Sequence, residues 1–368
     1  MTVTVKDIVT QLEEIAPPSY AIDGDRIGLH VGSFDHKVNR VMVTLDVLEK
    51  VVDEAIEKNV DLIIAHHPLI FRPLKQIDLN DEKGKIIKKL ITHNITVYVA
   101  HTNLDIVQNG VNDMLVDELQ LKNSRVLVEM GKEKLFKFVV FLPTTHEDIV
   151  RDALANAGAG HIGNYSHCTF NSTGQGTFKP LEGTNPYIGS TNELEKVDEI
   201  RMETIVPESK LNSVVEHARA AHPYEEMAYD IYPLHLEGEA YGLGRLAELE
   251  EEMTLKQFAS YVKEKLNVPF VRMVGDENEI IKKIGVIGGD GNKYIYDAKK
   301  SGADVLLTGD IYFHTAHDAL GIGLSMIDPG HHIEQVMKKQ LAKLLIDQMN
   351  DKVEIIYSEV ATEPFQIV

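Results

Sequence analysis

Two adjacent histidines, His66 and His67, directly follow the apolar segment VDLIIA, in which we predict a buried strand. Pro68 prevents the chain from continuing there as a helix. Imidazoles at such a position are either ordinary turn residues or ligands of a transition metal. The dipeptide alone does not distinguish between these two roles, because 16 histidines among 368 residues give about 0.7 adjacent pairs by chance. The position of the pair in the fold must distinguish them.

Further nitrogen and oxygen donors follow other predicted strands. Asp105 follows the strand predicted at 95–99, and His331 follows the strand predicted at 324–327. Glu334 lies three residues beyond His331, in the predicted first turn of a helix, so both side chains share one helical face. Loops at the carboxyl ends of parallel strands converge on one edge of the sheet. We therefore expect five side chains to meet there: His66, His67, Asp105, His331 and Glu334.

The chemistry of this donor set indicates divalent transition metals. It contains no thiolate, which favours zinc, manganese, iron, cobalt or nickel, with zinc as the leading candidate. Five ligands exceed the three protein ligands usual for a single catalytic zinc. They suit two ions about 3.5–4 Å apart that share a carboxylate. The sequence thus predicts a dinuclear centre with two divalent ions per chain.

Other polar residues near the predicted strand ends are secondary candidates. Asp46 ends the strand predicted at 40–45, where it either joins the site or caps the next helix. His101 and Asn103 lie where they could orient ligands or substrate, and we assign His101 a possible catalytic proton transfer. Asp310 and His314 follow another strand, with a helix cap and a surface histidine as the alternative interpretation.

Two further motifs have simple structural interpretations. GVIGGDG at 285–291 follows a predicted strand, but it lacks the G-x-G-x-x-G spacing of a dinucleotide loop, so tight turns are the simpler interpretation. AHPYEE at 221–226 places a histidine and two glutamates beside a Pro-Tyr turn, and we interpret these as solvated loop residues.

The elements that must position these residues alternate between strand and helix in two separate regions. Such alternation predicts βαβ units and a parallel sheet covered on both faces. The first region has predicted strands at 40–46, 60–65 and 95–99 and helices at 47–59 and 81–94. The second has predicted strands at 282–289, 303–310, 324–327 and 353–359 and helices at 292–302, 314–323 and 333–350.

The middle of the chain has a different order of elements. Strands at 133–143, 198–207 and 227–234, the polar segment 166–180, and helices ending near 157 and 221 give the order β-α-β-β-α-β, which is typical of a ferredoxin-like domain. We therefore predict the α/β fold class, with two α/β halves forming one body and an inserted ferredoxin-like α+β domain. The predicted ranges are 1–127 plus 239–368 for the body and 128–238 for the insert.

Composition limits the location and partners of the protein. The single cysteine, Cys168, excludes an internal disulfide and fits a reducing cytoplasm. The amino-terminal segment lacks the pattern of a signal peptide, and no apolar run approaches the ~18 residues of a membrane span. With 37 basic and 57 acidic residues, the net charge of −20 argues against binding to nucleic-acid backbone. A small anionic or nucleotide substrate held by metal ions remains compatible.

Several motifs together resemble the dinuclear metal-centre family named for NGG-interacting factor three, whose bacterial members are commonly labelled GTP cyclohydrolase 1 type 2 homologues. The motifs are AHHP, AHTNLD, TGD, GH-x-x-E, GLHVG at 28–32 and YGLGRLAEL at 241–249. The likeness covers about 1–125 and 240–368, and the middle segment is similar to the CutA-like or P-II-like domain of longer members. The resemblance implies that the five residues named above bind the metals and that the chain forms a toroidal homohexamer. The apolar segment LLIDQM near the final helix is expected to be exposed, which supports a closed oligomer.

The resemblance and the predicted ligands lead to two hypotheses about function. The first is a metal-dependent hydrolase that acts like a GTP cyclohydrolase through a metal-bound hydroxide, because bound metal lowers the pKa of water from 15.7 toward ~7. The second is a non-enzymatic, metal-binding oligomeric scaffold or regulatory protein. The sequence does not distinguish between them.

Overall fold

The computed structural model describes residues 2–349 and 352–367. Contacts within the chain divide it into two compact units. Unit 1 combines 1–130 with 241–368, and unit 2 contains 131–240. Both boundaries fall inside long strands rather than in loops, at residues 130/131 and 240/241, beside the predicted boundaries at 127/128 and 238/239.

The elements are numbered in chain order. The strands are β1 Gly28–Val31, β2 Arg40–Thr44, β3 Leu62–Ala65, β4 Thr96–Val99, β5 Lys122–Pro143, β6 Thr169–Phe178, β7 Glu195–Pro207, β8 Tyr229–Thr254, β9 Arg272–Val274, β10 Ile280–Asp290, β11 Val305–Gly309, β12 Ser325–Asp328 and β13 Glu354–Tyr357. The α-helices are α1 Val5–Ile15, α2 Glu49–Glu57, α3 Glu82–Thr92, α4 Thr102–Ile106, α5 Val111–Glu118, α6 Glu147–Asn156, α7 Leu211–Ala221, α8 Leu255–Lys265, α9 Ile295–Ser301, α10 Phe313–Gly321 and α11 Val336–Met349. Short 3₁₀ turns occupy Pro18–Tyr20, Thr144–His146, Glu208–Lys210, Asn292–Tyr294 and His331–Gln335.

Unit 1 contains one five-stranded sheet and a second set of paired strands. The five-stranded sheet has the order β1-β4-β3-β2-β13, in which β1 is antiparallel to β4 and the other pairs are parallel. The second set has the order β8-β10-β11-β12-β9, with parallel pairs in the centre and antiparallel strands at either side. The central strands β3, β4, β11 and β12 are buried along their whole length, as expected for strands covered on both faces.

The two sequence halves of unit 1 share one hydrophobic core. The same buried cluster contains Val43 and Ile64 from the first half and Val305, Leu307 and Leu341 from the second. The mixed α/β class is confirmed, and the apolar strands explain it because each buries side chains on both sheet faces.

Two predictions about the last helix are wrong. The segment was predicted to be helical from residue 333, but it opens with the 3₁₀ turn His331–Gln335, and α11 begins only at Val336. The segment LLIDQM was predicted to be exposed. Leu345 and Met349 are buried, and Ile346 is the exposed apolar side chain of this stretch.

Unit 2 contains, in order, the second part of β5, α6, β6, β7, α7 and the first part of β8. Strand β7 lies between β6 and β5 and is antiparallel to both. This is the strand and helix order on which the ferredoxin-like prediction rests. The prediction of a solvated AHPYEE segment is wrong for His222, whose ring is 7% exposed and donates from Nε2 to the carbonyl oxygen of Phe141.

None of the helices in the described part of the chain is both long enough and apolar enough to cross a bilayer.

Candidate metal centre

The five predicted ligands lie close together within unit 1. His66 and His67 directly follow β3. Their backbone N–H groups donate to Thr44 at the end of β2 and to Leu45 just after it, which fixes where the two side chains begin. Asp105 lies on the short helix α4 after β4. His331 and Glu334 lie on the 3₁₀ turn after β12, where side chains three residues apart are eclipsed.

Glu334 lies at the centre of this cluster. Its Oε2 is 3.0 Å from Nε2 of His67, 3.3 Å from Nε2 of His331 and 3.9 Å from Nε2 of His66. Two triads of donor atoms have the spacing of a metal site, one formed by His66, Asp105 and Glu334 and the other by His67, His331 and Glu334. Glu334 belongs to both triads, so it would be a ligand to each ion if two metals were bound.

The buried donor atoms that lack partners fit a bound cation. Nε2 of His66 and Oδ1 of Asp105 are both buried and lie 3.4 Å apart. Neither atom has a hydrogen-bond partner among the described residues. A buried polar atom without a hydrogen-bond partner costs roughly 1–3 kcal/mol of stability. A metal ion coordinated by both atoms would remove this cost.

Each of the three histidines predicted to be ligands is oriented through its Nδ1 atom. Nδ1 of His66 donates to the carbonyl oxygen of Ala100 at 2.9 Å. Nδ1 of His67 donates to Asp46 at 2.7 Å, and Nδ1 of His331 donates to Asp310 at 2.7 Å. These bonds direct Nε2 of every ring toward Glu334, which is the usual arrangement around metal-binding histidines. Asp46 and Asp310 are thus positioning residues of the cluster.

His101 joins the cluster from the loop after β4. Its ring centroid lies 5.2 Å from that of His66, and it forms a third group of closely spaced donors with His66 and His67. Nδ1 of His101 donates to Asp25 at 2.8 Å. Asp25 also accepts from the backbone N–H and the hydroxyl of Thr102. Burial opposes the ionisation of Asp25, but these hydrogen bonds outweigh it and hold its pKa below the usual value.

Sequence reasoning missed Asp25. It belongs to the loop AIDGDRIG before β1, 76 positions from His101, and no strand end or helical spacing marks it. Two secondary candidates lie outside the cluster. Asn103 is buried and donates its amide to the carbonyl oxygen of Ala16, and His314 is exposed on α10 beside Phe313.

Negative charge at the centre of the cluster makes its imidazoles basic. Burial disfavours the imidazolium of His67, but hydrogen bonds with Asp46 and Glu334 outweigh burial and raise its pKa to about 10. The hydrogen bond with Glu334 raises the pKa of His331 to about 9 despite its burial. Burial of Glu334 is likewise outweighed by His331 and His67, so its pKa lies well below the usual value. Without metal, protons on the imidazoles therefore balance the carboxylates.

The glycines of GVIGGDG make room for the cluster. A Cβ at Gly289 would lie 2.8 Å from Oε1 of Glu334 and 3.2 Å from Nε2 of His331, and the residue has a φ of +59°. A Cβ at Gly288 would lie 3.0 Å from the same carboxylate oxygen. These glycines allow the backbone at the end of β10 to pass directly beside the donors.

Comparison with known proteins identifies the family. The model of the family described as Duf34/NIF3 (NGG1p interacting factor 3) matches residues 3–364. The chain belongs to the DUF34/NIF3 family. The resemblance drawn from the sequence motifs is thereby confirmed.

Relatives within the DUF34/NIF3 family match nearly the whole chain. The "GTP cyclohydrolase 1 type 2 homolog" of Bacillus subtilis (strain 168) is 52% identical over 367 residues, covering 99% of this chain and 98% of the relative. The protein with the same name from Halalkalibacterium halodurans is 52% identical over 365 residues, covering 98% of each.

Solved structures extend the same likeness to the fold. A Bacillus cereus protein described as related to NIF3 matches with a TM-score of 0.87 and 49% identity, covering 100% of both chains. The Staphylococcus aureus protein SA1388 matches with a TM-score of 0.72 and 35% identity, covering 100% of this chain and 99% of the other.

Proposed function

We propose that this chain is a dinuclear metal-dependent hydrolase with an activity like that of GTP cyclohydrolase 1 type 2. One observation carries the proposal: the buried Glu334 belongs to both donor triads, and the first triad contains two buried atoms without hydrogen-bond partners among the described residues. Most buried polar side-chain atoms in proteins have a hydrogen-bond partner, so two unpaired atoms side by side in this cluster favour a bound cation.

The proposed ligands divide between two ions. His66, Asp105 and Glu334 would hold one, and His67, His331 and Glu334 the other, with zinc as the leading candidate among divalent transition metals. When bound, the ions would make water nucleophilic at neutral pH and polarise the bond under attack.

The remaining residues would orient ligands and move a proton. Asp46 and Asp310 hold His67 and His331 so that Nε2 of each faces Glu334. His101 is held in the same way by Asp25, which fixes the proton on Nδ1 and leaves Nε2 as the atom that accepts or returns a proton. A general base needs this combination of a fixed ring and a free nitrogen within reach of the reacting atoms.

The proposed substrate is GTP or another small anionic nucleotide, hydrolysed at a C–N bond. This rests on the name of the B. subtilis and H. halodurans relatives and on the local positive charge that two ions would supply in a chain of net charge −20. The cytoplasm is the proposed compartment, in agreement with the single cysteine.

We also propose that the chain assembles as a homohexamer. In unit 1, Phe71 is 57% exposed, Ile77 56% and Ile91 60%, and contacts between subunits would cover such apolar side chains. Light scattering should give a mass near six times 41.2 kDa. A single species of 41.2 kDa that is fully metal-loaded would exclude the hexamer.

The test of function combines metal analysis with a hydrolase screen. Wild type, reconstituted with zinc or manganese, is expected to hold two ions per chain and to consume GTP. GTP consumption is measured by chromatography and by the loss of purine absorbance. Glu334→Ala should lose both properties, whereas Glu264→Ala, a change of an exposed glutamate on α8, should lose neither.

Two results would decide against parts of the proposal. At most trace metal in reconstituted wild type would exclude the dinuclear centre. Full loading without turnover of any nucleotide or phosphoester tested would exclude the hydrolase and leave a metal-binding scaffold or regulatory protein.

A further inference from the structure

Unit 2 contains a cavity of about 320 Å³ that the metal centre does not explain. It lies where the end of β6, the loop 179–194 and the turn after α7 meet, so the segment AHPYEE forms part of its wall. Its volume is within the range of small-molecule sites in proteins, which begins at about 300 Å³.

Three aromatic rings form one wall of this cavity. Tyr224 lies between the other two, with its ring centroid 5.8 Å from that of Phe178 and 6.2 Å from that of Tyr187. The planes are inclined by 55° and 46°, so the rings do not stack upon one another, and all three line the cavity. Tyr187 is 54% exposed and forms the accessible side.

His222 fixes the position of Tyr224. Its Nε2 donates to the carbonyl oxygen of Phe141, and its Nδ1 accepts from the backbone N–H of Tyr224 at 3.1 Å. The accepting bond at Nδ1 requires a neutral ring, and burial lowers the pKa of His222 accordingly. The turn is also tied to the neighbouring loop, because the backbone N–H of Asn185 donates to Glu225 at 3.0 Å.

The charge of the cavity is negative. Among the described residues that line it, Glu199, Glu225 and Glu226 are acidic and Lys179 is basic, so three carboxylates face one ammonium group. Burial and the nearby charge of Glu199 raise the pKa of the Tyr224 hydroxyl, which places this carboxylate beside the aromatic wall.

We propose that this cavity binds an alkylammonium group, supplied by a small organic cation. Aromatic faces attract such cations through their quadrupole, and the attraction strengthens when the cation is partly removed from water. The carboxylates select against neutral and anionic ligands of the same shape. A quaternary ammonium would use mainly the ring faces, whereas a protonated amine would also donate to Glu199 and Glu226.

The experiment uses the full chain and four probes: tetramethylammonium and n-butylammonium chloride, with the neutral tert-butanol and n-butanol as matched controls. Saturation-transfer NMR titrations in buffered salt should give dissociation constants on the order of 1 mM for the ammonium probes, as expected for fragments of this size. The alcohols should show no saturable binding. Tighter binding of tetramethylammonium would indicate that the cavity prefers a quaternary ammonium, and tighter binding of n-butylammonium would indicate a protonated amine.

Matched variants connect the binding to the cavity. Tyr187→Leu and Glu199→Gln should each weaken the ammonium probes by about fivefold to tenfold, as expected from loss of one cation–π face or one carboxylate. The controls are Tyr165→Leu and Glu216→Gln, which change exposed residues of unit 2 outside the cavity and should have no effect. Because Tyr187 is exposed, its variant is expected to keep the wild-type melting temperature.

Three results would overturn the proposal. The first is the absence of saturation transfer to both ammonium probes at tens of millimolar, and the second is equal binding of the alcohols. The third is equal weakening of binding by the control variants, which would mean that the probes are attracted nonspecifically to an acidic chain. Binding is expected in metal-free and metal-loaded protein alike, so the result is independent of the proposed hydrolase function.

Discussion

Nε2 of His67 lies 3.0 Å from Oε2 of Glu334, although 267 positions separate the two residues in the chain. The pair joins the loop after β3 to the 3₁₀ turn after β12, so both sequence halves of unit 1 must fold before the candidate metal centre can form. The proposed ligands lie on loops and short helical turns that follow strands. Substituting one of them should therefore affect metal content more than folding.

His67→Ala is expected to lose at least one of the two ions per chain while retaining the far-ultraviolet circular dichroism of wild type. Elemental analysis after reconstitution measures the loss. His93→Ala is the control, because His93 is exposed at the end of α3 and belongs to none of the candidate metal-binding groups among the described residues. Full metal content in His67→Ala would remove this histidine from the ligand set.

The stabilisation produced by metal is expected to increase with pH. The pKa of His67 is raised to about 10 and that of His331 to about 9 in the metal-free site, so their contribution to stability is complete below pH 6.5 and is lost as pH rises through 9 to 10. Metal must displace these protons, so its affinity increases over the same range by about tenfold per pH unit for each proton released.

Thermal melts of metal-free and zinc-loaded protein at pH 6, 7.5 and 9 measure this effect. The melting temperature of the metal-free form should fall with pH, and the difference between the two forms should widen. A difference that is constant from pH 6 to 9 would mean that the imidazoles are not protonated in the metal-free site.

Asp310→Asn is expected to weaken metal binding by roughly 10- to 100-fold, because the residue orients Nε2 of His331 without being a ligand itself. Asparagine suits this position, since Asp310 has a φ of +53° and asparagine tolerates the left-handed region. Competition with a zinc chelator measures the affinity. Asp318→Asn, an exposed change on α10, is the control and should have no effect.

Arg245 and Asp113 form the ion pair whose loss we expect to be most damaging to stability. Nε and Nη2 of the buried Arg245 each donate to Asp113 at 2.7 Å, and its other N–H groups bond to backbone carbonyls, including that of Val107. Arg245→Ala leaves the half-buried carboxylate of Asp113 without its cation, with the backbone N–H of Asn109 as its remaining partner. The buried carbonyls that Arg245 bonds also lose their donor, so the free energy of unfolding, measured in urea, should fall by about 3 kcal/mol.

Two controls separate the ion pair from general effects of losing a charge. Lys256→Ala breaks a surface ion pair with Glu277 and should change the free energy of unfolding by less than about 1 kcal/mol. The double variant Arg245→Leu/Asp113→Leu should recover part of the loss, because it removes both charges. A double variant less stable than Arg245→Ala would contradict this account.

Replacing residues 131–240 by a short Gly/Ser linker should leave unit 1 folded and metal-loaded. The cut ends are close, since a Cβ at Gly242 would lie 3.0 Å from the backbone nitrogen of Met130 and 2.0 Å from the carbonyl oxygen of Val128. Circular dichroism and metal analysis test the variant. If it is insoluble and unit 2 alone also fails to fold, the two units are one cooperative domain.

The sequence predicted most elements of unit 1, because fully apolar strands and amphipathic helices carry clear periodic signals. The helix predicted at 81–94 is α3, Glu82–Thr92, and the strand predicted at 60–65 is β3. The meeting of the five donors could be predicted because parallel strands place their ends at one sheet edge. That they bind metal stays a prediction.

What sequence reasoning missed lacked such signals. Strand β8 runs from Tyr229 to Thr254, but only 227–234 was predicted, because the first part of the strand is largely exposed on both faces and shows no alternation of apolar and polar residues. The link between Asp25 and His101 depends on a loop, and loop conformation is set by tertiary contacts.

The pairing of β13 with β2 also has a consequence during synthesis on the ribosome. Arg40 and Glu354 are 314 positions apart, so at about 5–20 residues per second the partner of β2 emerges roughly 15 to 60 s later. During that interval the edge of β2 that later pairs with β13 has no partner. Four of the five residues of β2 are buried in the folded protein, so this edge is a template for pairing with another nascent chain. Unit 2, whose residues are contiguous, is complete well before this edge is covered, so the nascent chain passes through a stage in which chaperone binding to residues 40–44 would protect it from aggregation.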